Sequence, residues 1–112
     1  MSITGTARLG KKTKDLIKRL KPTDIAIIDH EDIDRVSADG LVASGVKAVV
    51  NAAKSISGRY PNIGPRIIVD ANILLLDEVG SNIFEALRDE DSVVIEGNML
   101  SLGGVLIASG TV

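Results

Sequence analysis

The segment Ser55-Ile56-Ser57-Gly58-Arg59-Tyr60-Pro61-Asn62-Ile63-Gly64-Pro65 concentrates the groups with which this chain could hold an anion. Gly58 and Gly64 let backbone N–H groups approach a ligand closely, Ser55 and Ser57 offer hydroxyl donors, and Arg59 could grip a phosphate through two parallel N–H bonds. Pro65 suits the first position of a helix, which would direct its positive end to the same place. Asn51 and Asn62 add amides able to orient a ligand, although asparagine serves strand ends and turns equally well. The segment matches neither the Walker phosphate loop nor the dinucleotide fingerprint, so an anion cradle and a plain structural loop are both open readings.

Other chemistry is sparse. The turn Asp29-His30-Glu31-Asp32-Ile33-Asp34 carries oxygen ligands, but it lacks the central glycine and distal glutamate of a calcium loop. A solvated turn with helix-capping carboxylates is the favoured reading, and no metal is expected. His30 is the only histidine and has no serine or cysteine motif beside it, so no catalytic residue is assigned. The chain has no cysteine, which excludes disulfides and thiolate chemistry. Its only aromatic residues are Tyr60 and Phe84, too few for the stacking platforms of single-strand nucleic-acid binders.

The elements that must position these residues follow from periodicity. Lys12 to Leu20 has helical spacing at Leu16, Ile17 and Leu20, and Pro22 stops it. Ile25–Ile28 and Val46–Val50 are apolar runs of the kind buried on both faces of a sheet. Between them Asp34 or Ser37 caps a helix with Val36, Leu41 and Val42 on one side, and Gly45 ends it. A helix from Pro65 with Ile67, Ile68 and Ala71 inward precedes a third apolar strand, Ile73–Leu76. A short helix over Asn82–Leu87 follows. The tail reads as three strands, Ser92–Glu96, Met99–Leu102 and Val105–Ala108, joined at Gly97-Asn98 and Gly103-Gly104.

At 112 residues, with 45% hydrophobic and 25% charged residues, one ordered domain with an aliphatic core is expected. Residues 1–21 hold seven basic side chains against Asp15 alone, whereas residues 22–39 hold six acidic ones against Arg35 alone. A basic helix lying near an acidic turn is the simplest reading of that asymmetry. The start Met1-Ser2-Ile3-Thr4-Gly5-Thr6 lacks the form of a secretion signal and no apolar run approaches the length of a membrane span. A cytoplasmic location without direct membrane insertion is therefore expected.

Thr4-Gly5-Thr6-Ala7-Arg8, the block from Asp24 to Arg35, Val49-Val50-Asn51-Ala52-Ala53 and the block from Ser55 to Pro65 together resemble the N-terminal region of SteA-type cytokinetic ring proteins. The likeness covers nearly the whole chain. It implies that residues 1–112 are the first domain of a longer bacterial cell-division protein. That parent continues into a thiamin-pyrophosphokinase-like domain and a membrane segment, and so can sit on the cytoplasmic face of the membrane. Neither later part contributes a residue here. More distantly, the element order is similar to the swivelling phosphohistidine domains, with Asn62 where those domains carry the phosphorylated histidine. An amide cannot carry a phosphoryl group as an imidazole does.

The expectation is thus an α/β, single-domain, β/β/α swivelling-like sandwich with an aliphatic core, short flanking helices and C-terminal hairpins. Its expected function is that of a non-catalytic interaction or regulatory module without a cofactor. The expected partner is the kinase-like domain of the parent or another division protein, and a homodimer is a further possibility. The alternative is a binding domain for a phosphate- or nucleotide-type ligand, held by Asn51, Ser55, Ser57, Gly58, Arg59, Asn62 and Gly64.

Overall fold

Seven strands form one mixed sheet, and four short helices flank it. In chain order the elements are β1 (Ser2–Gly10), α1 (Thr13–Ile17), β2 (Asp24–Ile28), α2 (Arg35–Ser44), β3 (Ala48–Asn51), α3 (Gly64–Asp70), β4 (Leu74–Leu76), α4 (Ile83–Ala86), β5 (Ser92–Glu96), β6 (Met99–Leu102) and β7 (Val105–Ser109). The structure is a computed structural model and describes residues 2–58 and 62–112.

The sheet order is β4-β3-β2-β1-β5-β6-β7. The first four strands are parallel, with Ala7 opposite Ile25, Ile27 opposite Val50 and Val49 opposite Leu75. β5 joins β1 antiparallel, and two hairpins complete the sheet. Asp77, just beyond β4, bridges to Thr111, just beyond β7, so the sheet curls until its two ends touch at one point.

The alternation of side chains across each strand divides the core in two. Ile25, Ile27, Ala48, Val50, Leu76 and Ala7 face the inside of the curl, where Ile83, Val93, Ile95 and Leu100 meet them. Ala26, Ile28, Val49 and Leu75 face outward and are covered by Leu16, Ala38, Leu41 and Ile68 from α1, α2 and α3. A sheet covered on both faces requires apolar residues at consecutive positions, which is why all of β2 is buried.

Several expectations need correction. β1 had no counterpart in the sequence reading, yet it is the nine-residue strand at the middle of the sheet. Its inward positions Ile3, Gly5, Ala7 and Leu9 include two small residues, so its period of two carries little hydrophobic contrast. On α2, Val36 is 66% exposed while Ala38 and Leu41 are fully buried, because the helix turns a different side to the sheet. On α3, Ile68 is buried, Ile67 is partly buried and Ala71 is exposed. Gly45 does end α2, at a φ of 72° that strains any residue with a Cβ.

Candidate functional site

The polar residues that follow the parallel strands meet at one edge of the sheet. β2 leads into Asp29 and His30, β3 ends on Asn51, and β4 leads into Asp77. Parallel strands put all their carboxyl ends on one side, where open α/β sheets place their ligands.

Asn51 is fully buried and is the centre of the arrangement. Its Oδ1 accepts from the backbone N–H of His30 at 3.0 Å and of Ala53 at 3.1 Å. Its Nδ2 donates to the carbonyl of His30 at 2.9 Å and to Ser55 Oγ at 2.8 Å. Two backbone donors on one side and a carbonyl on the other permit only one orientation of the amide. Ser55 Oγ in turn donates to Asp77 Oδ1 at 2.7 Å, and the Ser55 N–H donates to the same atom at 3.0 Å. Asn62 Nδ2 donates to the Ser55 carbonyl at 2.6 Å, while its Oδ1 accepts from the Gly64 N–H at 3.2 Å.

A second group ties this loop to the β2–α2 turn. Ser57 donates from its backbone N–H to Asp32 Oδ1 and from its hydroxyl to Asp32 Oδ2, each at 2.7 Å. Backbone bonds from Asp32 N–H to the Lys54 carbonyl and from Ile33 N–H to the Ser55 carbonyl run beside them. Gly64 closes the contact: a Cβ there would stand 2.0 Å from the Ile33 carbonyl oxygen. The glycine is needed because α3 starts against the backbone of the neighbouring turn.

Of the residues expected to hold a ligand, the structure brings Asn51, Ser55, Asn62 and Gly64 into one network and joins Ser57 to Asp32. The hydroxyl protons of both serines are directed at carboxylates. Gly58 is exposed at a φ of 87°, where a Cβ would meet none of the described residues within 4 Å, and Arg59 lies outside the described residues. Asp77 and Asp32 were missed as parts of the site. The available signal was positional, since Asp77 immediately follows the apolar run of β4, as Asp29 follows that of β2.

Beside this network a cleft of about 520 Å³ opens between the β1–α1 and β2–α2 connections. Lys11, Lys12, Thr13, Lys14 and Asp15 form one wall, three cations to one carboxylate, and Asp29, His30, Glu31, Asp34 and Ser37 form the other. The basic and acidic stretches of the sequence thus face each other. Thr13 Oγ1 and His30 Nδ1 are 2.8 Å apart, and His30 Nε2 stands 3.8 Å from Asp34 Oδ1. Asp34 also caps α2 through the Ser37 N–H at 3.2 Å. Its carboxyl is held below the usual range chiefly by the Ser37 side chain; burial opposes this as the next largest effect, and the Ser37 amide and His30 add to the lowering. Among the described residues no cluster of three or more His, Asp or Glu side chains is arranged to hold a metal ion, and no helix is long and apolar enough to cross a membrane.

No family model matches the chain, and no curated protein resembles it closely enough to count as a relative.

Proposed function

We propose that this chain is a non-catalytic interaction module, the N-terminal domain of a SteA-type cell-division protein, with the loop from Ser55 to Pro65 as its docking surface. The observation that carries this reading is the network around Asn51. Asn51, Ser55, Ser57 and Asn62 spend their polar atoms on each other, on the backbone or on Asp77 and Asp32, which fixes both described ends of the loop. The described parts of the loop, 55–58 and 62–65, held in this way present a preformed surface, and a preformed surface loses less entropy on association.

The loop, α3 and the residues after β7 together show apolar groups to solvent. Ile56, Val69 and Val112, at 50%, 55% and 70% exposure, rim a shallow hollow of about 190 Å³ floored by Pro65 and Leu75. Exposed aliphatic side chains gathered around one depression suit a protein partner better than a phosphate. The partner we assign is the thiamin-pyrophosphokinase-like domain of the parent. We also read the fold as a β/β/α swivelling domain: four parallel strands carry helices on one face, and the hairpins curl the sheet until Asp77 meets Thr111. Asn62 supports the loss of phosphotransfer in that lineage, because its amide nitrogen is used to hold the Ser55 carbonyl.

Light scattering on a mixture of this chain with the separately purified kinase-like domain tests the proposal. A complex that forms with the parent sequence and is lost in Ile56→Asp and Val69→Asp agrees with it. Absence of any complex at about 100 µM of each, a concentration sensitive to an association of roughly 5.5 kcal/mol, contradicts it.

A further inference from the structure

We propose that the cleft between the β1–α1 and β2–α2 connections binds a small hydroxylated phosphomonoester, such as a sugar phosphate. Lys12 and Lys14 would take the phosphate, and Asp29 and Asp34 the hydroxyls.

The cleft has the volume of a metabolite site, about 520 Å³ against a usual range of roughly 300–1,000 Å³. It lies outside the carboxyl ends of β1 and β2, and none of its lining residues belongs to the docking hollow beside Ile56. Its lysines are not committed elsewhere. Among the described residues the ion pairs join Arg8 to Asp24 and Glu90, Arg19 to Asp89, His30 to Asp34 and Arg66 to Asp70, and none uses Lys11, Lys12 or Lys14. Lys11 places its ammonium 5.5 Å from the centre of the Phe84 ring, which leaves Lys12 and Lys14 as the two cations facing the acidic wall. Lys12 and Lys14 line the cleft with Asp29 and Asp34 without an ion pair to either, which leaves room for a molecule that satisfies both walls.

The floor between the walls is ordered. Thr13 is buried at 4% exposure and bonded to the His30 ring, so the two connections are fixed relative to each other before anything binds. The charge pattern selects the ligand. A polyanion such as nucleic acid or an anionic lipid surface would meet Asp29, Glu31 and Asp34 on the opposite wall and be repelled. One phosphate against Lys12 and Lys14 avoids that repulsion, and ligand hydroxyls can donate to the carboxylates opposite, which are acceptors only. The cleft lining contains no Phe, Tyr or Trp, and its one ring, that of His30, is held edge-on by Thr13 Oγ1 and Asp34, which favours a sugar phosphate over a nucleotide.

Calorimetry and amide NMR on the 112-residue chain test this with ribose 5-phosphate, inorganic phosphate, ribose and a DNA oligonucleotide. Ribose 5-phosphate should bind and shift the amides of Thr13, Lys14, His30 and Ser37, inorganic phosphate should bind more weakly, and ribose should not register. Lys12→Gln with Lys14→Gln should weaken ribose 5-phosphate by about tenfold or more, as expected when two charged contacts are lost. Lys18→Gln with Lys21→Gln, the same charge change away from the cleft, should leave it within about twofold. Asp34→Asn, which retains an α2 cap, should reduce the preference for ribose 5-phosphate over phosphate. The proposal is overturned by silence from both phosphates, by equal loss in the two lysine pairs, or by tighter binding of the oligonucleotide. Equal affinity for phosphate and ribose 5-phosphate overturns the role given to the acidic wall. Loss of this site would leave the docking surface untouched, since the two share no residue.

Discussion

Replacing Asn51 by alanine should remove the centre of the loop network without touching an exposed atom. The parent side chain satisfies the N–H groups of His30 and Ala53, the carbonyl of His30 and the Ser55 hydroxyl, and alanine satisfies none of them. Ser55 keeps its bond to Asp77, so three backbone groups carry the main loss. At about 1 kcal/mol or more for each unmade bond, the cost comes to roughly 3–5 kcal/mol, reduced if water enters the space. That is a large part of the ~5–15 kcal/mol by which a domain is stable. For a chain of this length it corresponds to a fall in Tm of roughly 15 °C. Urea unfolding followed by circular dichroism measures it, with Asn62→Ala, which loses far less, for comparison at about 1 kcal/mol. A loss under about 1 kcal/mol for Asn51→Ala would refute the network as the element that fixes the loop.

Gly64→Ala should cost about 3 kcal/mol or more, because the new methyl meets the Ile33 backbone rather than a side chain that can rotate away, and urea midpoints near the parent value would contradict this packing. Asp24 is fully buried, with one oxygen accepting from Arg8 and the Lys21 N–H and the other without a hydrogen-bond partner. Arg8→Leu should therefore destabilise by roughly 3 kcal/mol in thermal melts, and adding Asp24→Asn should recover part of that loss; no recovery would show that the carboxylate charge is not the cause. Asp34 and Asp89 both have folded pKa values below the ordinary one. For Asp89, burial acts in the other direction but is outweighed by the Leu9 N–H and Arg19. Their contribution is complete above about pH 4 and is lost as pH falls through the depressed folded values, so Asp89→Asn should flatten the acid limb of stability against pH. An unchanged slope would contradict it.

Much of the frame was legible because both-face burial leaves an uninterrupted apolar run. Ile25–Ile28, Val46–Val50 and Ile73–Leu76 mark β2, β3 and β4 to within two residues, and Gly97 and Gly103-Gly104 mark the hairpin turns. β1 was hidden because Gly5 and Ala7 fit the tight middle of the sheet by being small, which weakens the periodic signal they should carry. The loop was recognisable as special from its glycines and polar residues, but the destination of its hydroxyls was not. Ser55 and Ser57 look the same in sequence whether they await an anion or bond a carboxylate. Asp77 and Asp32, which decide the matter, lie 22 and 25 residues away along the chain. The approach of the basic stretch to the acidic turn was legible from their opposite charges, but the cleft between them was not, since its shape depends on the pairing of β1 with β2.

The docking role of the loop is most directly tested by amide NMR of the labelled chain during titration with the kinase-like domain. The account predicts shifts confined to Ile56, Ser57, Gly58 and the α3 face bearing Val69, with the Asn51 side-chain amide still bonded in the complex. Shifts centred on β6 and β7 with the loop unchanged would contradict it.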